Sequence, residues 1–282
     1  MSDAQIPGID PSTVTPVPFV GGWTTGTQAT EVRAPYDGHL LGSIPEMTPG
    51  DVDKAVAYAK KALHEDPLPQ WKRAEILDKA AALLAERRDL FGTCIALEAA
   101  KPIKTARVEA ERAAGTFLFS AAVARTLTGE TVPLEASAVG AGKIGFVLRV
   151  PIGVVGAISP FNFPLNLVVH KLGPAIAAGC TIVLKPSEIA PISGIVFSEI
   201  MHAAGTPAGV YNMINGDGPS VGQVMAGHKD VDMVSFTGST RAGVIVAKTA
   251  ADTVKRVAQE LGGKSPNIIL EDADLETAVR KG

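Results

Sequence analysis

An asparagine between two aromatic residues, in the segment SPFNFP, is the first side chain whose position suggests catalysis. Asn162 follows shortly after an apolar run that ends at Ile158. A side-chain amide that bulky neighbours hold at the end of a strand can donate a hydrogen bond to an oxyanion. The alternative interpretation is an asparagine that only caps a turn or a helix.

A lysine and a glutamate follow the next apolar run, in the segment TIVLKPSE. An acidic side chain after the second strand of a parallel pair can accept hydrogen bonds from both hydroxyls of an adenosine ribose. Glu188 repels a 2′-phosphate and so favours NAD over NADP, whereas Lys185 can donate to the same ribose and weakens that preference. A surface ion pair between the two side chains is the alternative.

Two later segments offer a phosphate site and a base. In TGSTRAG, Gly238 and Gly243 allow a phosphate to approach the backbone N–H groups at a helix start, and Ser239 and Thr240 add hydroxyl donors. In QELGGK, Glu260 lies beside two glycines and can act as a general base on water. The alternatives are a plain tight turn for the first segment and a structural carboxylate for the second.

These side chains come together only if a parallel sheet positions them. Residues 151–188 indicate a strand, a crossover helix and a second strand, and strands and helices alternate from there onward, with the last strands at 256–259 and 267–270. Polar groups just past the carboxyl ends of parallel strands face a ligand crevice. The predicted fold is therefore α/β, with a Rossmann-like parallel sheet covered by helices on both faces.

The chain divides into four predicted parts. Residues 1–18 are polar and rich in proline, and we expect a loose arm; residues 19–127 are expected to form short strands and long helices. Residues 128–150 indicate a β-hairpin with free edges, either a bridging arm for oligomers or an edge hairpin covered by its own chain. Residues 151–282 form the predicted Rossmann-like domain. The side chains expected to face inward on the last helix before the hairpin are Leu118, Val123 and Ala124.

Composition narrows the classes of function. Hydrophobic residues make up 46% of the chain and charged residues 20%, enough apolar material for a sizeable core. The net charge is -3 and no basic block occurs, so nucleic acid is not an expected partner. The N-terminus lacks the pattern of a signal peptide, and no apolar run is long enough for a membrane span. The two cysteines suggest reduced, buried thiols in a cytoplasmic protein.

Four segments in one order, GVVGAISPFNFP, AAGCTIVLKPSE, VSFTGSTRAG and QELGGKSP, closely resemble the aldehyde dehydrogenase superfamily. The resemblance covers essentially the whole chain, and it implies NAD(P)-dependent oxidation of an aldehyde to a carboxylic acid through a cysteine thioester. It also implies that Asn162 stabilises the oxyanion and that Glu260 activates the water that hydrolyses the thioester. No metal is implied. The residues expected at the cofactor are Ser159, Pro160, Phe161, Lys185, Ser187, Glu188, Gly218, Phe236, Thr237, Gly238, Ser239, Leu261 and Gly262.

The family's cysteine nucleophile lies a few dozen residues beyond the position of Glu260, and these 282 residues do not reach it. Cys94 and Cys180 lie in apolar segments and are interpreted as small buried hydrophobic side chains rather than nucleophiles. We therefore expect a truncated or split chain without the C-terminal catalytic domain. The alternative to an enzyme portion is a module that binds NAD and is catalytically inactive alone.

The resemblance further implies the partners of the complete enzyme. They are an aldehyde, the C-terminal catalytic portion and further copies of the chain, joined through the hairpin. The helix after Asn162 partly lines the aldehyde tunnel of the family, and this helix carries Asn166, Val169 and His170. We interpret His170 as a structural or surface histidine rather than a substrate contact.

Overall fold

The computed structural model describes residues 4–281. Four short strands open the chain and pair as two antiparallel hairpins. The expectation of a loose N-terminal arm is wrong for the described residues, because Ile6 and Ile9 are buried in the core. The strands are β1 (Val17–Phe19), β2 (Gly22–Thr24), β3 (Gln28–Arg33) and β4 (Leu40–Glu46).

Four helices follow, and the first begins at a capping box in which Thr48 and Asp51 exchange hydrogen bonds. The last of these helices buries a stripe of small side chains that includes Ala110, Ala113 and Ala124. The prediction that Leu118 and Val123 face inward is wrong, since they are 55% and 52% exposed, whereas the prediction for Ala124 is confirmed. The helices are α1 (Pro49–Glu65), α2 (Gln70–Glu86), α3 (Arg88–Glu98) and α4 (Ile103–Thr126).

The predicted hairpin between the helices and the sheet is confirmed as a pair of short antiparallel strands, β5 (Glu130–Val132) and β6 (Gly145–Val147). Apolar side chains on and beside it are exposed, among them Ile144 and Phe146. A hairpin with exposed apolar side chains and free edges has the character of an interaction surface.

A five-stranded parallel sheet forms the rest of the chain, and its strand order is β11-β10-β7-β8-β9. The two central strands are buried along their whole length, as expected when helices cover both faces. The strands are β7 (Val154–Ile158), β8 (Thr181–Lys185), β9 (Tyr211–Met213), β10 (Met233–Thr237) and β11 (Arg256–Glu260).

Helices connect these strands as crossovers. Helix α5 ends at Gly179, whose φ of 88° is the left-handed conformation that glycine adopts without strain and that allows the sharp return into β8. A π-helical turn at Gly218–Gly222 leads into the short helix α7. The helices are α5 (Asn166–Ala178), α6 (Ile192–Ala203), α7 (Gln223–Gly227), α8 (Thr240–Ala251) and α9 (Leu275–Lys281).

The prediction of a strand at residues 267–270 is wrong. The segment is apolar and β-branched, but it pairs with no described strand, and Ile268 and Leu270 are 74% and 65% exposed. Propensity alone does not make a strand, because a strand needs a neighbour for its backbone hydrogen bonds. Among the described residues, no helix is both long and apolar enough to cross a membrane.

Candidate functional site

A cleft of about 780 Å³ lies past the carboxyl ends of β7, β10 and β11, beside the first turns of α5. The register aligns Ile158 with Phe236, and Thr237 with Glu260, so the segments that follow these strands leave the sheet at the same edge. Most residues predicted for the site meet here. Those that line the cleft are Pro160, Phe161, Asn162, Phe236, Thr237, Gly238, Ser239, Glu260, Leu261 and Gly262.

The side chains of Asn162 and Glu260 are exposed to this cleft and make no hydrogen bond or ion pair with any residue in the range 4–281. The amide of Asn162 is therefore available to donate, and the carboxylate of Glu260 is available to accept a proton. An amide donor and a carboxylate that line one cleft are the groups needed to stabilise an oxyanion and to activate water.

A buried ion pair that the sequence reasoning missed holds the backbone just after Asn162. Glu109, whose side chain is fully buried, accepts hydrogen bonds at 3.1 Å from the backbone N–H groups of Leu165 and Asn166. Lys101 donates to the same carboxylate at 2.6 Å, and its ammonium lies 3.5 Å from the ring centre of Phe163. The carboxylate satisfies the free N–H groups at the start of α5 and thereby fixes the segment that carries Asn162.

Lys171 is a second group that the sequence reasoning missed. Its ammonium donates to the hydroxyls of Thr237 at 2.9 Å and Ser235 at 3.3 Å, at the floor of the cleft. Burial lowers the pKa of Lys171 to about 8, and the carboxylate of Glu260 opposes that shift. Because the lysine lies inside an apolar helix, LNLVVHKLGPAIAA, only the periodicity of α5 would have pointed to it.

Ser239, expected at a phosphate, is the N-cap of α8. Its hydroxyl oxygen accepts from the backbone N–H of Ala242 at 3.2 Å, so its own O–H remains as a donor. Other backbone N–H groups of the first turn of α8 point out of the helix, and the helix dipole adds positive potential there. The N-terminus of α8 can therefore bind a phosphate, as the glycine spacing indicates.

Five predicted cofactor residues do not line the cleft. Ser159 directly follows β7, and the other four lie around the carboxyl end of β8: Lys185, Ser187, Glu188 and Gly218. The ammonium of Lys185 is buried and donates to Glu188 at 2.9 Å and to the carbonyl of Pro186 at 3.0 Å. Partial burial tends to raise the pKa of Glu188, but the hydrogen bond and charge of Lys185 hold it below its usual value. Glu188 is thus an anion with its carboxylate half exposed, able to accept two hydroxyls.

Ser187 and Ser159 are more enclosed than the sequence indicated. The hydroxyl oxygen of Ser187 accepts from the backbone N–H of Ile189 at 3.4 Å, a local turn contact. Ser159 is 4% exposed, and its hydroxyl is buried without a partner among the described residues. Its backbone N–H donates to the carbonyl of Lys185 at 3.1 Å, so Ser159 joins the cleft to the Lys185–Glu188 pair. An unpartnered buried hydroxyl at this junction fits a bound polar group.

Neither cysteine lies at the cleft. Cys180 is 3% exposed and directly precedes β8, at the end of the strand opposite the cleft. Cys94 is fully buried in α3, where burial, with Glu98 adding to it, raises the pKa of its thiol. A buried neutral thiol is a poor nucleophile. Within residues 4–281, no three His, Cys, Asp or Glu side chains are grouped so as to hold a metal.

Comparison with known proteins places this arrangement in context. Residues 23–282 match the model of the aldehyde dehydrogenase family. A 3-sulfolactaldehyde dehydrogenase of Priestia megaterium is 43% identical over 258 residues, which cover 92% of this chain and 54% of that protein. A 3-succinoylsemialdehyde-pyridine dehydrogenase of a Pseudomonas species is 44% identical over 260 residues, which cover 91% of this chain and 53% of that protein.

The fold has solved counterparts. The NAD+ complex of an aldehyde dehydrogenase from Bacillus cereus superposes with a TM-score of 0.90 at 35% sequence identity, over 96% of this chain and 55% of that one. The chain thus spans about half the length of the proteins that it matches.

Proposed function

Because the chain belongs to the aldehyde dehydrogenase family, we propose that it supplies the cofactor site, the oxyanion donor and the general base for oxidation of an aldehyde to a carboxylic acid. The observation that carries the proposal is the convergence of two unpartnered side chains, Asn162 and Glu260, on one cleft at the carboxyl edge of a parallel sheet.

Asn162 donates its side-chain N–H to the aldehyde oxygen as negative charge develops there. The Glu109–Lys101 pair fixes the backbone that presents this amide, so little reorganisation is needed when the charge forms. Glu260 takes the proton from the water that hydrolyses the thioester. Lys171 lies close enough to Glu260 for the charge of the glutamate to raise the pKa of the lysine against the effect of burial.

The residues fit a nicotinamide dinucleotide. The half-exposed Glu188 anion accepts the ribose hydroxyls, the buried Lys185 fixes that anion, and Ser239 with the first turn of α8 binds the pyrophosphate. A nicotinamide held by these residues would supply the hydride acceptor for the substrate carbon. Because Glu188 repels a 2′-phosphate, NAD is the favoured form and NADP the weaker one.

The nucleophilic cysteine comes from a segment outside these 282 residues, since both cysteines present are buried away from the cleft. The chain by itself is therefore expected to bind NAD but not to oxidise an aldehyde. The exposed apolar side chains of the β5–β6 hairpin support its use as an oligomer-forming arm in the complete enzyme. Two unpaired buried thiols are in keeping with the cytoplasm.

The names of the relatives leave the substrate open. One is named for an aldehyde that carries a sulfonate and the other for an aldehyde that carries a pyridine ring. Charge at the distal end of the aldehyde is therefore a property that varies within the family.

Calorimetry of NAD and NADP binding to the 282-residue chain tests the proposal. We expect NAD to bind more tightly than NADP, and Glu188→Gln to narrow that ratio by about tenfold, because the like-charge repulsion is lost. Glu86→Gln, an exposed glutamate on α2 far from β8, is the matched control and leaves the ratio unchanged. Absence of NAD binding by the folded chain contradicts the proposal, and NADH formed by the chain alone contradicts the assignment of the nucleophile.

A further inference from the structure

One wall of the cleft carries a guanidinium without a counter-charge. Arg112 on α4 lines the same cleft as Asn162. The other two arginines in the interior of this helix are paired, Arg107 with Asp89 and Arg125 with Asp78. The guanidinium of Arg112 makes no ion pair or hydrogen bond with any residue in the described range 4–281. An arginine left unpaired at a cleft is suited to a planar or tetrahedral anion, which it can bind through two N–H groups.

A histidine lies beside this arginine. His170 on α5 lines the same cleft, and its ring makes no hydrogen bond or ion pair within the part of the chain that the structure describes. Partial burial lowers the pKa of His170, and the positive charges of Arg112 and Lys171 lower it further. The charges of Arg112 and Lys171 therefore make the field at this wall positive, and the ring N–H of His170 can donate to an anion placed here.

A buried amide completes the wall. Asn166 is 3% exposed, lines the cleft, and has a side-chain oxygen that is buried without a donor among the described residues. Asn166 and His170 are four residues apart, so they lie on one face of α5. A buried carbonyl oxygen without a donor is costly in a folded protein, so Asn166 adds a polar position to this wall.

We propose that the aldehyde handled by this site carries an anionic group, a carboxylate, sulfonate or phosphonate, that Arg112 and His170 bind while Asn162 holds the reacting oxygen. This inference rests on the proposed function and adds the substrate class to it. The positive charge of this wall repels a cationic aldehyde. An uncharged alkyl aldehyde has no group with which Arg112 can pair. His170 is then a substrate contact, whereas the sequence analysis interpreted it as a structural or surface histidine.

Calorimetry on the 282-residue chain at pH 7 tests the inference with four aldehydes: succinic semialdehyde, sulfoacetaldehyde, phosphonoacetaldehyde and uncharged butanal. We expect at least one anionic aldehyde to bind about tenfold more tightly than butanal, as one charge-assisted contact implies. The order of the three anions identifies the anionic group. Equal binding of butanal and all three anions overturns the inference.

Arg112→Gln should remove the preference for the anion, whereas Lys104→Gln should retain it. Lys104 is an exposed, unpaired cation on the same helix and does not line the cleft, so it controls for net charge. An equal loss in both variants overturns the site. Binding of the anion should also raise the pKa of His170, observed through its ring protons by NMR, and this shift should vanish in Arg112→Gln. If the rise in the pKa of His170 persists in Arg112→Gln, Arg112 and His170 do not bind the same anion.

NAD binding, measured on the same samples, separates this inference from the function on which it rests. If NAD binds and the anionic aldehydes show no preference, only the substrate class is overturned. If the anionic preference appears and NAD does not bind, the anion site is supported and the proposed function fails.

Discussion

Two buried glutamates in the N-terminal helical region each accept hydrogen bonds from backbone N–H groups at the start of another helix, but they differ in whether a cation is nearby. Glu109 on α4 accepts from the backbone N–H groups that begin α5, and Glu98 on α3 accepts from Ile192 and Ser193 at the start of α6, at 2.7 and 2.8 Å. Each carboxylate thus caps a helix of the parallel sheet from another helix. Only the first of these helices carries residues of the cleft.

The difference lies in the counter-charge. Glu109 has the ammonium of Lys101 at 2.6 Å, whereas no described cation pairs with Glu98, whose other neighbours are the thiol of Cys94 and the hydroxyl of Ser193. Burial raises the pKa of Glu98 to about 7, although its hydrogen bonds from α6 oppose that shift. The helix beside Asn162 is therefore anchored by a paired charge, and the remote helix is anchored by a carboxyl whose pKa lies close to neutral pH.

The largest expected effect is that of Glu109→Ala. The change leaves Lys101 without its partner and two N–H groups of α5 without an acceptor, so we expect a loss of about 3–5 kcal/mol in the free energy of unfolding. Urea denaturation measures it. Glu111→Ala, an exposed position two residues further along α4, should change stability by less than about 0.5 kcal/mol. Similar losses in the two variants would show that Glu109 has no special role.

The next effect is that of Lys101→Met, which removes the counter-charge of Glu109 and leaves the carboxylate in place. The side chain of Lys101 is 16% exposed, so water can partly replace the ammonium, and we expect a loss of about 2 kcal/mol. The same denaturation experiment applies, with Lys104→Met as the exposed control on the neighbouring helix start. A change below about 0.5 kcal/mol would mean that Glu109 and Glu98 are equivalent anchors.

The third effect, similar in size to that of Lys101→Met, concerns Glu98 and depends on pH. A carboxyl whose folded pKa is raised keeps its proton while the unfolded chain loses it, so this group's stabilising contribution is complete below about pH 4.5 and is lost as pH rises to about 7. Glu98→Gln removes this titration. The stability of the variant relative to the natural chain should therefore increase between pH 5 and pH 7.5, by about 2–3 kcal/mol. A difference that does not vary with pH contradicts the raised pKa.

Some residues around the site could be predicted from the sequence and others could not. The difference is how far along the chain their contacts reach. Asn162, Lys185 and Glu260 stand at strand ends beside glycines and prolines, and a local pattern is enough to find them. Glu109 and Glu98 act on N–H groups 56 and 94 residues away, so inside their own helices they look like ordinary solvent-facing charges. Their burial follows from the packing of α3 and α4, which no local pattern contains.

The strand predicted at residues 267–270 failed for a related reason. Its β-branched composition resembles that of β8, but β8 has β7 and β9 as neighbours, whereas no described strand lies beside the segment. Likewise, Leu118 and Val123 are apolar, yet the face of α4 that packs inward is the one with small side chains. Partners in space, rather than residue type, decide such positions.

The two helix anchors have a consequence for how the chain folds. The carboxylates belong to α3 and α4, and the amide groups that they hold belong to the region after residue 150, so neither side can satisfy its buried polar groups alone. The boundary that the motifs suggest at residue 150 therefore does not divide independent cooperative units. Both regions order together in a single transition, and the segment that presents Asn162 takes its shape only once α4 has docked.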